Sequence, residues 1–161
     1  MSRMDNLLNQ SLVKNKEVGQ PFSSTAHFML GWFGGGIAAA LFCCLSIKKM
    51  GLIKTKRFEL ALLLLISFVG TAYFIAIYKG LMVPPFGIES DLVIKNIRII
   101  NQLFGVTVYG VFFLFFKKYL SSARFNDAPV PSPWRPALAC IGIGLATIFG
   151  LAFAFSFIKI A

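Results

Sequence analysis

Four long and almost uninterrupted apolar runs constrain the fold of this chain more than any other feature. They cover residues 28–47, 60–78, 99–116 and 137–158. Each run approaches the roughly 20 residues that a helix needs to cross the hydrocarbon core of a bilayer. Backbone groups in lipid must be paired within the chain, and the runs lack the alternating pattern of barrel strands. The sequence therefore predicts an all-α polytopic membrane protein with four transmembrane helices in two hairpins.

The composition supports lipid as the solvent of these runs. The chain is 57% hydrophobic and only 14% charged, whereas soluble domains average about 25% charged residues. Its net charge of +10 comes from 16 Lys and Arg residues against 6 acidic ones. These bases cluster at the ends of the apolar runs, where anionic headgroups lie. We therefore expect membrane lipids, and not nucleic acid, to be the partners of the basic side chains.

The sequence divides into an N-terminal tail, residues 1–26, and a transmembrane domain, residues 27–161. Apolar residues recur at helical spacing in the tail, which predicts a short amphipathic helix or, alternatively, a frayed terminus. Such a helix would lie in the membrane interface or dock on a partner. The first apolar run is too long for the core of a signal peptide, so we expect it to remain in the membrane.

The distribution of bases predicts an orientation in the membrane. The two hairpin loops, residues 48–58 and 117–136, carry nine of the 16 Lys and Arg residues, and seven are spread over the rest of the chain. Loops rich in Lys and Arg tend to stay in the cytoplasm. Both hairpin loops are therefore predicted to be cytoplasmic, and both termini external.

Two spans carry small residues four positions apart, a spacing that lets helix backbones approach closely in lipid. One stripe lies in the first span and the other in the fourth. The sequence predicts that both are helix-packing surfaces, either against each other within one chain or between subunits. The stripes consist of Gly31, Gly35 and Ala39 in the first span, and of Gly142, Ala146 and Gly150 in the fourth.

The start of the third helix carries polar residues on one face. Asp91, Lys95, Arg98 and Gln102 follow one another at helical spacing, and Tyr109 continues this face into the membrane. Polar side chains that enter a span usually face protein or water. One interpretation is a basic site for an anion, a lipid phosphate or an acidic partner, or the lining of a pore. The other is an ordinary helix end with snorkelling bases and an Asp91–Lys95 pair.

Residues suited to catalysis or metal binding are scarce. His27 is the only histidine, and one histidine cannot provide the several ligands of a typical metal site. We expect it to be a polar residue at the membrane interface or, alternatively, a pH sensor. The apolar runs contain no Asp, Glu, Lys or Arg, although proton relays need such residues. We therefore predict no metal, no cofactor and no enzymatic activity.

The first hairpin resembles that of a group of small bacterial membrane proteins of unassigned function. The resemblance extends from Gly34-Gly35-Gly36 to Lys48-Lys49-Met50-Gly51. It consists of a glycine-rich first span and a short basic turn with a glycine that leads directly into the second span. Those proteins often have an Asn and a Leu-Gly in the turn, where this chain has Lys-Lys-Met-Gly. The resemblance implies a bacterial inner membrane and implies no activity.

Three functional hypotheses follow from the sequence. The first is a non-enzymatic membrane subunit that acts through helix–helix contacts, in a larger complex or as a homo-oligomer. The second is a small oligomeric channel or membrane-perturbing effector, lined by the polar face of the third helix. The third is a membrane protein that binds acidic lipids through the bases beside its spans.

Overall fold

The computed structural model describes residues 20–84, 90–124 and 132–158. Four helices follow one another along the chain: α1 (Ser24–Lys49), α2 (Arg57–Tyr78), α3 (Ser90–Arg124) and α4 (Trp134–Ile158). By total length and composition all four could cross a membrane, although α1 changes direction within its length. The predicted all-α class with four helices of membrane-spanning length is confirmed, and the chain is an integral membrane protein. The amphipathic helix predicted in the tail lies outside the described residues.

Local sequence explains where the first two helices begin and end. The side-chain oxygen of Ser23 accepts a hydrogen bond of 3.2 Å from the amide of Ala26, which pairs one of the free amides at the start of α1. Gly51 and Gly80 follow the last turns of α1 and α2, and both have a φ of 71°. Glycine in this left-handed conformation is a common helix terminator.

The chain reverses its direction inside α1, at Gly35. This residue has a φ of 71° and a ψ of −170°, a combination open essentially only to glycine. In a straight helix, His27 and Ser46 would lie about 28 Å apart, given a rise of 1.5 Å per residue. Instead, a hydrogen bond of 2.8 Å joins their side chains, and the rings of Phe22 and Phe42 stack with centroids 4.6 Å apart. The helix α1 is therefore a helical hairpin with two antiparallel arms.

Neither arm of this hairpin is long enough to cross a bilayer. We name residues 24–34 arm α1a and residues 36–49 arm α1b. At 1.5 Å per residue the arms are about 16 Å and about 21 Å long, and the hydrocarbon core is about 30 Å thick. The hairpin therefore enters the apolar layer and returns, so that both of its ends lie on one side of the helix bundle.

The tip of the hairpin packs mainly on α3. Gly35 lies beside the side chain of Asn101, and Gly34 faces Ile141 of α4. Arm α1a contacts the backbone of α3 directly, since a Cβ atom at Gly31 would lie 2.8 Å from the carbonyl oxygen of Gly105. Small residues allow this close approach, as is usual between helices in lipid.

Two apolar clusters hold the hairpin in the bundle. The first joins arm α1b to α2 and α3, and the second joins both arms to α4. Their largest side chains, Phe112 and Phe42, are fully buried. The first cluster contains Ala39, Ala40, Cys43, Ile47, Met50, Leu60, Leu63, Val108, Phe112, Phe116 and Leu120. The second contains Phe22, Leu30, Ala38, Phe42 and Cys140.

The bundle has a basic end, which collects most of the described Lys and Arg residues. Lys49 at the end of α1b and Arg135 at the start of α4 line one cavity. The ammonium of Lys56, just before α2, lies 5.7 Å from the ring centroid of Tyr119 in the last part of α3. The basic end therefore contains both ends of the hairpin, the starts of α2 and α4, and the end of α3.

This arrangement corrects the predicted topology. The described parts of the loops 48–58 and 117–136 lie at the same end of the bundle, and the end of α4 lies opposite, where Lys79 donates a hydrogen bond of 3.0 Å to Ser156. The predicted straight first span, which begins at the end opposite these loops, is wrong, because the reversal of α1 brings its start to the same end as Lys49. The predicted position of the N-terminus itself lies outside the described residues. Of the twelve Lys and Arg residues that the structure describes, nine belong to this end. The positive-inside rule therefore predicts that this end is cytoplasmic.

Labelling of single cysteines with a membrane-impermeant maleimide tests this orientation. In a background with the three native cysteines replaced by alanine, we expect Thr25→Cys and Lys54→Cys, both at exposed positions, to react from the same side of the membrane. Val83→Cys, at the opposite end, is the control and should react only from the other side. Reaction of Thr25→Cys together with Val83→Cys would contradict the reversal of α1.

A methyl group at Gly35 should destabilise the hairpin. Gly35→Ala places an alanine in a strained backbone conformation, at a cost of about 1–3 kcal/mol, and its Cβ would lie 2.5 Å from the amide nitrogen of Asn101. Gly80→Ala is the matched control, because Gly80 has the same φ but a Cβ there would meet no atom within 4 Å. We expect thermal unfolding in detergent to show the larger loss of stability for Gly35→Ala. Equal losses of thermal stability in the two variants would show that the packing around Gly35 does not stabilise the protein.

Candidate functional site

A polar pair lies between the arms of the hairpin, in an otherwise apolar core. His27 of α1a is 3% exposed and Ser46 of α1b is fully buried. The Nδ1 atom of His27 lies 2.9 Å from the carbonyl oxygen of Ser23, and its Nε2 atom lies 2.8 Å from the hydroxyl oxygen of Ser46. A carbonyl can only accept, so Nδ1 carries a proton, and the neutral ring accepts a hydrogen bond from Ser46 at Nε2.

Aromatic rings surround this imidazole. Phe42 of α1b contacts it edge-on at 4.8 Å between centroids. Tyr109 and Phe112 of α3 stack on it at 5.5 Å and 5.6 Å. The polar pair is therefore separated from water, and its two hydrogen bonds satisfy both ring nitrogens. In this apolar environment an unpaired polar atom would be costly, so the pair stabilises the antiparallel arrangement of the arms.

Ser46 and His27 have the spacing of a nucleophile and a base, but their surroundings favour a structural role. A catalytic serine must reach a substrate, whereas Ser46 is fully buried. The other nitrogen of His27, which a carboxylate orients in a triad, is bonded here to the carbonyl oxygen of Ser23. Within residues 20–84, 90–124 and 132–158, no group of three His, Cys, Asp or Glu side chains is placed to hold a metal ion.

The tip of the hairpin is the second distinctive site. Here α1a ends and α1b begins in the middle of the apolar layer, around Gly35. Interrupted helices at this depth are tolerated where protein covers the backbone or where they line a cavity. Gly35 and Gly36 are buried, and the side chains of Asn101 and Phe104 lie against them. The geometry therefore corresponds to a covered break and not to an open pathway.

The structure separates the two predicted stripes of small residues. Gly31 and Gly35 contact α3, and Ala39 is buried in the cluster shared with α2 and α3. The alternative in which the two stripes pack on each other within one chain is therefore wrong, because α4 contacts the hairpin through other residues. The stripe of α4 lies on its exposed face, and a Cβ at either glycine would meet no atom within 4 Å: Gly142, Ala146 and Gly150.

The polar face of α3 begins at the end of the bundle opposite the basic end and continues into the contact between α3 and the hairpin. Lys95 and Arg98 are exposed, and Gln102 and Tyr109 are half-buried. Tyr109 does not face a channel but stacks on the imidazole of α1a. Asp91 and Lys95, both exposed and both within the described residues, do not form the ion pair that their spacing predicts.

The sequence analysis predicts no contact between His27 and Ser46. His27 was expected at the membrane interface, and the structure buries it instead because α1b folds back over it. His27 and Ser46 lie 19 positions apart in the sequence, which is too far for contact in a continuous helix. The signal that could have revealed the pair is the combination of three consecutive glycines, Gly34 to Gly36, with a polar residue near each end of the run.

Comparison with known proteins gives no assignment. No protein-family model matches this chain, and no curated protein or solved structure is significantly similar to it. Its function is therefore argued from the hairpin, from the surfaces of the bundle and from the cavities at the basic end.

Loss of the Ser46 hydroxyl should destabilise the protein more than loss of another buried hydroxyl. Ser46→Ala leaves Nε2 of the buried imidazole unpaired, which costs about 1–3 kcal/mol. Ser67→Ala is the matched control, because Ser67 is also fully buried but donates to the carbonyl of Leu63 in its own helix. We expect the melting temperature in detergent to fall clearly for Ser46→Ala and little for Ser67→Ala. The reverse order would show that the polar pair does not stabilise the hairpin.

Proposed function

We propose that this protein is a non-enzymatic membrane subunit that acts through helix–helix contacts of α4, in the first place with a second copy of the chain. The exposed stripe on α4 supports this proposal. Glycine in a helix interior costs about 1 kcal/mol relative to alanine. At Gly142 and Gly150 no close approach between the described residues requires a glycine. The approach of a helix from another subunit would explain both residues.

The outer face of α4 suits contact between two copies. After Arg135 the helix contains no charged residue, so two copies can approach without electrostatic repulsion. Helices with small residues four positions apart associate in lipid through close backbone contact. A two-fold axis brings the same stripe of two identical helices together, so no second kind of surface is needed.

Large apolar side chains flank this stripe and would enlarge the contact. Phe149, Phe153 and Phe157 are 71%, 68% and 59% exposed. The opposite face of α4 contacts the hairpin near Cys140, Ile141 and Gly144. The hairpin thus fixes the rotation of α4 about its axis and turns the stripe outwards.

A channel lined by the polar face of α3 has less support. Such a path would require Arg98, Gln102, Gly105 and Tyr109 to face water along the whole helix. The hairpin covers part of this face, since Gly105 lies against Gly31 and Tyr109 stacks on His27.

For the location of the protein we propose the bacterial inner membrane. The basis is the resemblance of the segment from Gly34 to Gly51 to small bacterial membrane proteins. The basic end would then face the cytoplasm, where the membrane surface is anionic. Membrane lipids and a second copy of the chain are the partners that this placement implies.

Bulky residues in the stripe should weaken self-association. We expect the double substitution Gly142→Leu with Gly150→Leu to lower the dimer affinity at least about tenfold, which corresponds to 1.4 kcal/mol. Gly110→Leu is the control, because Gly110 of α3 also has no neighbour within 4 Å of a Cβ but belongs to no stripe. The measurement is the fraction of dimer in mild detergent or in vesicles, determined by native mass spectrometry or by single-molecule photobleaching.

Three other results are informative. If a second protein co-purifies in stoichiometric amount and is lost with the double variant, that protein, and not a second copy of the chain, is the partner of α4. A wild-type protein that is monomeric and has no companion would overturn the proposal. Equal effects of Gly110→Leu and of the double variant would place the contact elsewhere.

A further inference from the structure

A cavity of about 840 Å³ lies at the basic end, between the open end of the hairpin and the start of α4. Lys48 and Lys49, in the last turn of α1b, and Arg135, in the first turn of α4, contribute three positive charges to its lining. The remaining lining residues include Phe22, Leu45 and Ser132, and among the described residues no Asp or Glu lines the cavity. The cavity is therefore suited to an anion that has an apolar part.

Aromatic packing holds Lys49 at this cavity. The ammonium of Lys49 lies 4.7 Å from the ring centroid of Phe22, and that ring stacks on Phe42 of α1b. The reversal of α1 brings Phe22 beside Lys49, and the contact of α4 with the hairpin brings Arg135 to the same place. Bases from the end of α1b and from the start of α4 thus line one cavity.

An apolar groove of about 440 Å³ adjoins this cavity, between arm α1a and α4. The two cavities meet where the chain passes from Phe22 to Ser23 and from Ser132 to Pro133, since one residue of each pair lines each cavity. The groove runs from the basic end towards the tip of the hairpin, in the direction of the membrane centre. Its lining includes Ala26, Met29, Leu30, Phe33, Leu138 and Ile141.

We propose that the cavity and the groove together bind one anionic phospholipid. Its phosphate lies among Lys48, Lys49 and Arg135, and one of its acyl chains lies in the groove between α1a and α4. The positive-inside rule places this end in the cytoplasmic leaflet, where anionic lipids attract clusters of Lys and Arg. A lipid in this position contacts both arms of the hairpin and α4, and so joins elements that are far apart in the sequence.

This site differs from the basic face predicted on α3. Lys95 and Arg98 lie at the opposite end of the bundle, whereas Lys48, Lys49 and Arg135, which are also exposed, line one cavity at the basic end. The proposal also does not depend on self-association, because every lining residue lies in one chain.

Lipid titration of the purified full-length protein, followed by native mass spectrometry, tests the proposal. We expect phosphatidylglycerol to bind at least about tenfold more tightly than phosphatidylcholine with the same acyl chains, because the bases attract the anionic headgroup. The double substitution Lys49→Gln with Arg135→Gln should remove this preference. The matched control, Lys95→Gln with Arg98→Gln, removes the same charge at the opposite end and should leave the preference unchanged.

Two further arms identify the ligand. Glycerol 3-phosphate should bind at least about tenfold more weakly than the lipid, because it cannot occupy the groove. A thermal-shift measurement on the wild-type protein should show stabilisation by phosphatidylglycerol and not by phosphatidylcholine, which keeps the test valid if a variant fails to fold. Equal binding of the two lipids, or retention of the preference in the Lys49→Gln, Arg135→Gln variant, would overturn the proposal. Equal binding of glycerol 3-phosphate would replace the lipid with a soluble phosphate.

Discussion

The reversal of the backbone at Gly35 is the constraint on which the rest of the structure depends. In an apolar layer a helix is interrupted only where protein covers the backbone groups that the break exposes. Here α3 provides the cover, with Asn101 beside Gly35 and the backbone of Gly105 against Gly31. The hydrogen bond between Ser46 and His27 then joins the arms near their open end. A straight helix would pair its backbone without help, so the reversed form needs these contacts to be stable.

The surfaces of the molecule follow from this reversal. Both arms of α1 end at the basic end of the bundle. The bases of the loop 48–58 therefore lie at the same end as those at the end of α3 and at the start of α4. The inner face of α3 is occupied by the hairpin, so its polar stripe ends in a protein contact. One face of α4 packs on the hairpin, and its small residues Gly142, Ala146 and Gly150 remain on the other face. The hairpin thus determines which surfaces are available to lipid and to a second subunit.

The helical class and the extent of the helices could be predicted from the apolar runs, because lipid leaves the backbone few alternatives. The path of the chain through the first apolar run could not be predicted in this way. Residues 28–47 have the length and hydropathy of one span, and the glycines at positions 31 and 35 fit a packing stripe on a straight helix equally well. Their actual role depends on the backbone of α3, which no local pattern reveals. His27 was misplaced for the same reason, since its burial depends on a partner in the other arm.

The most direct test of the reversal is the distance between spin labels at Thr25 and Lys48, both of which are exposed. Double electron–electron resonance in vesicles, on a protein with its native cysteines replaced by alanine, measures this distance. The reversed hairpin predicts roughly 20 Å or less, because packed helices lie about 8–10 Å apart and the labels add to this. A pair at Phe58 and Tyr78 calibrates a straight helix at about 30 Å. A distance of about 35 Å between Thr25 and Lys48 would mean a continuous α1 and would contradict the account.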